Sequence, residues 1–260
     1  MSRRAPLFGV VVISQSAGLL FLCAALPILG GHLARESLWL GAVAGVAGAF
    51  GILLLYAGLA AGRMGIVSPI TAGIGAGFPV IWGLVRGEHL SAHAAIGLGI
   101  TFVAIILCSV SFGERDAANC ETRIGLPAGV AEALGSGLCL GVFFIALGSI
   151  GAGGGLTPLA VARSTSVAAL VIAAFAAGRT IAIPSRYALR VIACGALDML
   201  ANVFFVLAMG SGMLAIVAIL CSLYPAATVV LAALINSERL TRPQWTGVVF
   251  ALTGIALIAA

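Results

Sequence analysis

The sequence predicts an all-α, polytopic membrane protein with nine transmembrane helices. Apolar residues make up 62% of the 260-residue chain, and charged residues make up only 8%. A soluble domain carries about 25% charged residues, which face water. With a mean hydropathy of +1.23, the chain has too few polar groups to cover a surface that faces water. We therefore expect it to lie in a lipid bilayer. The net charge of +5 comes without a run of basic residues, and no nucleic-acid-binding surface is expected.

The nine helices are predicted from apolar runs of about 20 residues, the length that crosses a bilayer. Gly, Pro or charged residues occupy the breaks between the runs. Arg3 and Arg4 precede the first run. Because further apolar runs follow it, we interpret the first run as a membrane helix and not as a signal peptide. The predicted spans are residues 7–29, 38–61, 65–85, 92–111, 127–150, 156–178, 187–209, 213–235 and 243–260.

Small residues are abundant in the spans and predict close helix packing. Gly41, Gly45 and Gly48 lie at spacings of four and three, on one face of the second helix. Helices in lipid gain little from apolar contact with each other, and they associate through small residues instead. The arginines concentrate in alternate breaks, which predicts a cytoplasmic N-terminus.

The chain contains a weak internal repeat with an offset of about 150 residues. Residues 88–91 (EHLS) align with residues 238–241 (ERLT), and the register continues over the following apolar span. An internal duplication in a polytopic membrane protein is typical of transporters. The aligned pairs in that span are Gly97 with Gly247 and Leu107 with Leu257.

A polar stretch divides the chain into two predicted halves. Residues 114–126 are the predicted linker between a first half, residues 1–113, and a second half, residues 127–260. The first half has four predicted helices and the second has five, and residues 127–150 have no counterpart in the first half. The first half is therefore expected to lack its first helix. Repeat units with an odd number of helices are inverted relative to each other.

Charged residues within the spans are candidate site residues, because a charge at the bilayer centre costs about 2.5–3.5 kcal/mol on insertion scales. Asp198 lies in mid-span, and Asn202 follows one turn later on the same face. We interpret this pair as a substrate or proton site, since burial favours the protonated form of a carboxylate. The alternative is a structural ion pair between Asp198 and Arg163.

Further polar residues lie near the starts of two spans. Glu132 and Ser136 are one turn apart and are candidates for the same site, with an interfacial position as the alternative for Glu132. Arg163 begins the polar run of residues 163–166. Its side chain either binds an anionic substrate or extends to the membrane surface.

Tyr224 and Pro225 interrupt an apolar run. Proline removes a backbone donor and frees a carbonyl group, which in lipid is tolerated beside a neighbour or a cavity that satisfies it. We therefore predict that Tyr224 and Pro225 lie at a helix break beside a cavity, with a plain kink as the alternative. Thr228, one turn after Tyr224, is also a candidate site residue. So is Gln15 in the first span, with a hydrogen bond between helices as its alternative role.

Other polar residues are given structural roles or none. Tyr56 and Trp82, near span ends, are predicted to be interfacial anchors, and Glu88 and Glu238 are predicted to cap loops. The six cysteines are scattered without a CxxC pair, and no phosphate-binding loop or catalytic triad motif occurs. No catalytic residue, metal centre or cofactor is therefore expected.

Several segments resemble EamA-type carriers of the drug/metabolite transporter (DMT) superfamily. Residues 222–258 (SLYPAATVVLAALINSERLTRPQWTGVVFALTGIALI) are similar to the C-terminal signature of that family, with its Tyr-Pro, Glu-Arg-Leu and Gln-Trp elements. Residues 56–70 (YAGLAAGRMGIVSPI), 142–164 (VFFIALGSIGAGGGLTPLAVARS) and 195–208 (GALDMLANVFFVLA) also resemble segments of the family. The resemblance implies a ten-helix fold of two inverted five-helix EamA repeats.

The resemblance makes residues 1–113 the first EamA repeat, without its first helix, and residues 127–260 the second. A start site placed too far downstream, a shortened chain and a true nine-helix protein all remain open. The implied function is secondary active transport by alternating access: export of small metabolites such as amino acids across the bacterial cytoplasmic (inner) membrane, with protons as coupling ion. A homodimer is a further expectation. The alternative is a non-transporting membrane subunit, or a truncated carrier that needs a partner chain; no catalytic constellation supports an enzyme.

Overall fold

The computed structural model describes residues 7–29, 35–61, 64–110, 129–150, 155–210, 212–224, 226–227, 230–231 and 241–259. These residues form nine helices, and none of them forms a strand. Each helix lies on one of the nine predicted spans, and the predicted all-α fold class is confirmed. The helices are α1 (Leu7–Leu29), α2 (Arg35–Ala61), α3 (Met64–Val85), α4 (Ala92–Val110), α5 (Val130–Gly148), α6 (Thr157–Ala176), α7 (Ser185–Met209), α8 (Leu214–Cys221) and α9 (Arg242–Ala259).

The composition and surface of the helices suit a lipid environment. Among the described residues, α1, α2, α5, α6 and α7 are long and apolar enough to cross a membrane. Shorter apolar stretches lie in α3 (Ile70–Val85) and α4 (Ala92–Cys108). Large apolar side chains such as Trp39, Phe175 and Leu189 are strongly exposed. Contact with lipid tails, and not with water, makes such a surface stable.

The chain forms two compact units, each assembled from two separate stretches of sequence. The first unit comprises Met1–Tyr56 and Val142–Gly212, and the second comprises Ala57–Gly141 and Met213–Ala260. Each unit thus takes helices from both predicted halves of the chain. The predicted linker, residues 114–126, lies outside the described residues, so the division into halves stays a prediction.

In the first unit, glycines allow helix backbones to approach closely. A Cβ atom at Gly41 would lie 2.7 Å from the carbonyl oxygen of Pro158, and one at Gly45 would collide with the carbonyl oxygen of Ala162. Gly48, on the same face of α2, contacts α5. The predicted packing face is therefore confirmed. It holds α2 against α6, the helix that carries Arg163.

In the second unit, α4 and α9 make a crosswise contact. A Cβ atom at Gly97 would lie 3.0 Å from Cβ of Leu257, and one at Gly247 would lie 3.2 Å from Cβ of Leu107. These are the glycine and leucine pairs that align in the sequence, and each glycine meets the leucine of the other half. A local two-fold relation between α4 and α9 would produce this pattern.

Helix α8 stops just before Tyr224, close to the predicted break. Its last residue is Cys221, and a turn follows at Ser222 and Leu223. The hydroxyl group of Ser222 donates to the carbonyl oxygen of Ala218 (2.8 Å), and the N–H of Leu223 donates to Leu220 (3.2 Å). These bonds satisfy carbonyl groups of the last helical turn, as water or a cap would do at a helix end outside the membrane. Pro225 lies outside the described residues.

Candidate functional site

An ion pair joins α6 to α7 within the first unit. Nη2 of Arg163 donates to Oδ2 of Asp198 at 2.8 Å. The side chain of Arg163 is only 7% exposed, whereas that of Asp198 is 49% exposed. Two charges on apolar helices stabilise each other, because either one alone would have to leave water without a partner. The structural alternative predicted for Asp198, an ion pair with Arg163, is therefore present.

A cavity of about 500 Å³ lies beside this ion pair, also within the first unit. It is lined by residues of α1, α2 and α7. Helix α1 packs closely on α7 at Gly195, where any larger residue would collide with the carbonyl oxygen of Ser14. Of the described residues that line it, Asp198 alone is charged. Binding pockets for small molecules occupy about 300–1,000 Å³ and combine apolar walls with a few polar groups. The lining residues are Val10, Val11, Ser14, Gln15, Ile52, Leu55, Tyr56, Val191, Cys194 and Asp198.

Gln15 is the most buried polar residue of this lining. The residue is 4% exposed, and its Oε1 has no hydrogen-bond partner among the described residues. Buried acceptors are almost always paired in folded proteins, and an unpaired one needs an explanation. The alternative role predicted for Gln15 is a hydrogen bond between helices. Within the described part of the chain, Oε1 accepts no such bond.

Three other polar side chains near the ion pair bond to helix backbones. The Ser164 hydroxyl donates to the carbonyl oxygen of Ala160 (2.8 Å), and the Ser166 hydroxyl donates to that of Gly45 on α2 (2.7 Å). Asn202 donates through Nδ2 to the backbone oxygen of Asp198 at 2.7 Å and does not line the cavity. Asn202 therefore shares a helix face with Asp198, but its amide contacts the helix itself.

Comparisons with known proteins identify the family to which the chain belongs. The profile of the EamA-like transporter family matches residues 127–260, about half of the chain. The chain belongs to the EamA-like transporter family. One solved crystal structure, described only as that of a protein, has a similar fold, with a TM-score of 0.75 and 15% sequence identity. The similarity covers 97% of this chain and 86% of that one. No curated protein matches the chain.

Membership of the EamA-like family, together with the apolar helices, makes the chain a multi-pass integral membrane protein. The resemblance drawn from the sequence is confirmed, and so is the all-α polytopic fold. The solved structure supports the fold alone, since identity at this level says nothing about substrate.

Other predicted site residues of this EamA-like chain lie in the second unit. Glu132 and Ser136 are both on α5. Ser136 is fully buried. A Cβ atom added at Gly58 would lie 3.2 Å from Cβ of Glu132, so Glu132 packs against α2. Tyr224, after α8, is 46% exposed. Pro225 and Thr228 lie outside the described residues.

Three residues have roles that the sequence interpretation missed or gave only in outline. Tyr56 lines the cavity, a position that its predicted role as an interfacial anchor did not include. Cys194, one turn before Asp198, lines the cavity too; its spacing of four residues from Asp198 was the available signal. Glu88 caps a helix, as its predicted loop-capping role suggested: Oε1 and Oε2 accept N–H bonds from Leu214 (2.8 Å) and Ala215 (3.0 Å).

Proposed function

We propose that this EamA-like chain is a secondary active transporter that exports small metabolites, such as amino acids, across the bacterial cytoplasmic membrane. Family membership supports transport. The observation that carries the proposal for this chain is the cavity of about 500 Å³ beside the Arg163–Asp198 ion pair. A half-exposed carboxylate among apolar helices is a functional candidate, because its desolvation is costly and needs a reason.

Alternating access between two inverted repeats is the proposed mechanism. The aligned segments at residues 88–91 and 238–241 support an internal repeat. The crosswise contact of Gly97 with Leu257 and of Gly247 with Leu107 supports it further, since each half contributes the same pair of contact residues. Repeats of this kind allow one bundle to move against another around a central site.

Protons are the proposed coupling ion, and Asp198 is the residue proposed to carry them. A carboxylate that alternates between a proton and the Arg163 guanidinium has two states of different charge, which is what coupling requires. Gln15 belongs to the same proposed site. Glu132, Ser136 and Tyr224 are proposed as further polar contacts of the transport pathway, and a homodimer is the proposed assembly.

Flux into proteoliposomes under an imposed pH gradient tests the proposal. The purified chain and its Asp198→Asn variant would be compared with radiolabelled amino acids. We expect gradient-driven flux for the unmodified chain. We expect gradient-driven flux to be lost in the variant, because an asparagine amide cannot take up and release the coupling proton.

A control variant and two contrary outcomes make the experiment decisive. Ser164→Ala removes only a hydroxyl group bonded to its own helix, and it should transport normally. Full gradient-driven flux in Asp198→Asn would rule out this carboxylate as the proton carrier. Absence of flux for every labelled substrate, from correctly inserted protein, would favour the alternative of a non-transporting subunit that needs a partner chain.

A further inference from the structure

The first two turns of α7 carry two exposed arginines on one face of the helix. Arg186 and Arg190 lie four residues apart, and both residues are exposed. The guanidinium group of Arg186 lies over the ring of Tyr187, 4.7 Å from the ring centroid, a contact that orients the side chain but leaves its charge in place. Among the described residues, neither arginine is paired with a carboxylate. This face therefore presents two uncompensated positive charges.

The sequence around the two arginines carries charge of one sign only. Residues 133–197 contain four arginines and neither Asp nor Glu. The next acidic residue, Asp198, is already paired with Arg163. The internal repeat does not require a base on this face, since Leu40 occupies the position that matches Arg190 at the offset of about 150 residues. The two positive charges are therefore a particular feature of α7.

Further along the helix, the same face of α7 is apolar. Ala193, Leu197 and Leu200 continue the spacing of three and four residues that keeps side chains on one face. Leu197 is 66% exposed and Leu200 is 36% exposed. From Arg190 to Leu200 the helix rises about 15 Å, which is half of the hydrocarbon thickness of a bilayer, about 30 Å. A basic end above an apolar stripe as long as one leaflet matches the two parts of an anionic phospholipid.

The membrane supplies the complementary charge at the start of α7. The arginines of alternate breaks predict that this end of the helix lies at the cytoplasmic surface. The cytoplasmic leaflet contains anionic lipids, which attract basic side chains close to the membrane. A guanidinium group also matches the geometry of a phosphate, because it donates two parallel N–H bonds to the phosphate oxygens.

We propose that this face of α7 is a binding site for one anionic phospholipid, whose headgroup phosphate binds Arg186 and Arg190. The acyl chains lie along the stripe formed by Ala193, Leu197 and Leu200. Neither arginine lines the cavity of the first unit, so the lipid site is separate from the proposed transport site and does not depend on it. A lipid bound here holds the start of α7 at the membrane surface.

Native mass spectrometry of the purified chain counts bound lipids directly. The chain would be freed of lipid in detergent and titrated with dioleoylphosphatidylglycerol or with dioleoylphosphatidylcholine. Both lipids have the same acyl chains and one phosphate, but phosphatidylcholine has no net charge. We expect the first phosphatidylglycerol to bind at a concentration roughly thirtyfold lower, as two arginines near an anionic headgroup would produce. Equal affinity for the two lipids would overturn the proposal.

Replacing the arginines by glutamine tests which side chains carry the preference. Arg186→Gln and Arg190→Gln should each weaken phosphatidylglycerol binding about fivefold, and the double variant should abolish the preference over phosphatidylcholine. Arg179→Gln is the matched control, because Arg179 is exposed, lies between α6 and α7 in the same unit, and removes the same charge. It should bind phosphatidylglycerol normally. An equal loss in Arg179→Gln would show general attraction between charges, and would overturn the site on α7.

Two further measurements separate lipid binding from loss of structure and from binding of a free anion. Without added lipid, the variants should unfold at the same temperature as the unmodified chain, because exposed charges contribute little to stability. The single variants still test the site if the double variant does not fold. Inorganic phosphate should not displace bound phosphatidylglycerol, because it has no acyl chains to contact Leu197 and Leu200. Displacement by equimolar phosphate would assign the arginines to a soluble anion and overturn the lipid site.

Discussion

The two compact units use their carboxylates in different ways. In the first unit, Asp198 pairs with the side chain of Arg163 and lines a cavity. In the second unit, Glu88 bonds to the backbone N–H groups of Leu214 and Ala215 at the start of α8. A side-chain partner can exchange with a ligand or a proton, whereas backbone donors are held in place by their helix. The first arrangement is suited to binding, and the second to holding the fold.

The same contrast appears at matched positions of the proposed repeat. Gly48 and Asp198 are separated by the repeat offset of about 150 residues, and both lie in the first unit. A Cβ atom at Gly48 would lie 3.1 Å from the ring of Phe143, so that position is filled. Asp198 instead borders open space. These matched positions of the proposed repeat therefore differ in what surrounds them: a packed ring in one case and a cavity in the other.

The largest effect on the free energy of unfolding is expected in the second unit, where the backbones of α4 and α9 are in close contact. In Gly97→Val, the added Cβ would lie 2.8 Å from the carbonyl oxygen of Gly254 and 3.0 Å from Cβ of Leu257. Backbone atoms cannot easily move aside, so we expect the free energy of unfolding to fall by about 3 kcal/mol, the upper end of overpacking effects. The measurement is the midpoint of thermal unfolding in detergent.

Gly99→Val is a control on the same helix, since no atom lies within 4 Å of a Cβ at Gly99. Its unfolding midpoint should stay close to that of the unmodified chain. Equal losses in both variants would mean that helix propensity or lipid contact, and not the α4–α9 contact, sets the stability of this region.

An intermediate effect is expected at the ion pair of the first unit, and it should be unequal for the two partners. Asp198→Leu leaves the nearly buried charge of Arg163 without its carboxylate. We expect the free energy of unfolding to fall by about 1–3 kcal/mol, less than for a fully buried pair, because Asp198 is half-exposed. Arg163→Met leaves only the half-exposed carboxylate, and should lose less.

The double variant Asp198→Leu/Arg163→Met completes a cycle for this pair. Because it leaves no unpaired charge, it should be more stable than Asp198→Leu alone. Unfolding midpoints of the four proteins would measure the coupling. Strictly additive losses would show that the two side chains do not stabilise each other in the membrane protein.

Much of the fold follows from the sequence, for a simple physical reason. A bilayer requires apolar runs of nearly constant length, so helices such as α1 (Leu7–Leu29) and α7 (Ser185–Met209) begin and end within about two residues of prediction. Helix packing was also predictable where it depends on glycines at helical spacing, as at Gly41 and Gly45.

The candidate site was less predictable, because it depends on which faces of separate helices meet. Asp198 and Gln15 could be chosen by polarity alone, and the structure brings both to one cavity. Position near a span end led to an interfacial interpretation of Tyr56, since sequence position does not tell which way a side chain faces. Asn202 was grouped with Asp198 by spacing, yet its amide bonds to the backbone of its own helix.

The smallest effect is expected at Glu88. Gly87 turns the chain after α3 with a φ of +89°, a conformation that glycine adopts without steric strain, and the turn brings the Glu88 carboxylate to the start of α8. Glu88→Gln keeps one acceptor oxygen but removes the charge that favours the helix N-terminus. We expect a loss of about 0.5–1 kcal/mol in unfolding free energy.

Substrate flux should stay unchanged in Glu88→Gln, because this carboxylate holds a loop to α8. The exposed neighbour His89 offers a matched control, and His89→Gln should affect neither stability nor flux. If Glu88→Gln abolished gradient-driven flux while the protein stayed folded, the distinction between a binding carboxylate and a structural carboxylate would fail. Glu88 would then have to be placed with Asp198 in the transport mechanism.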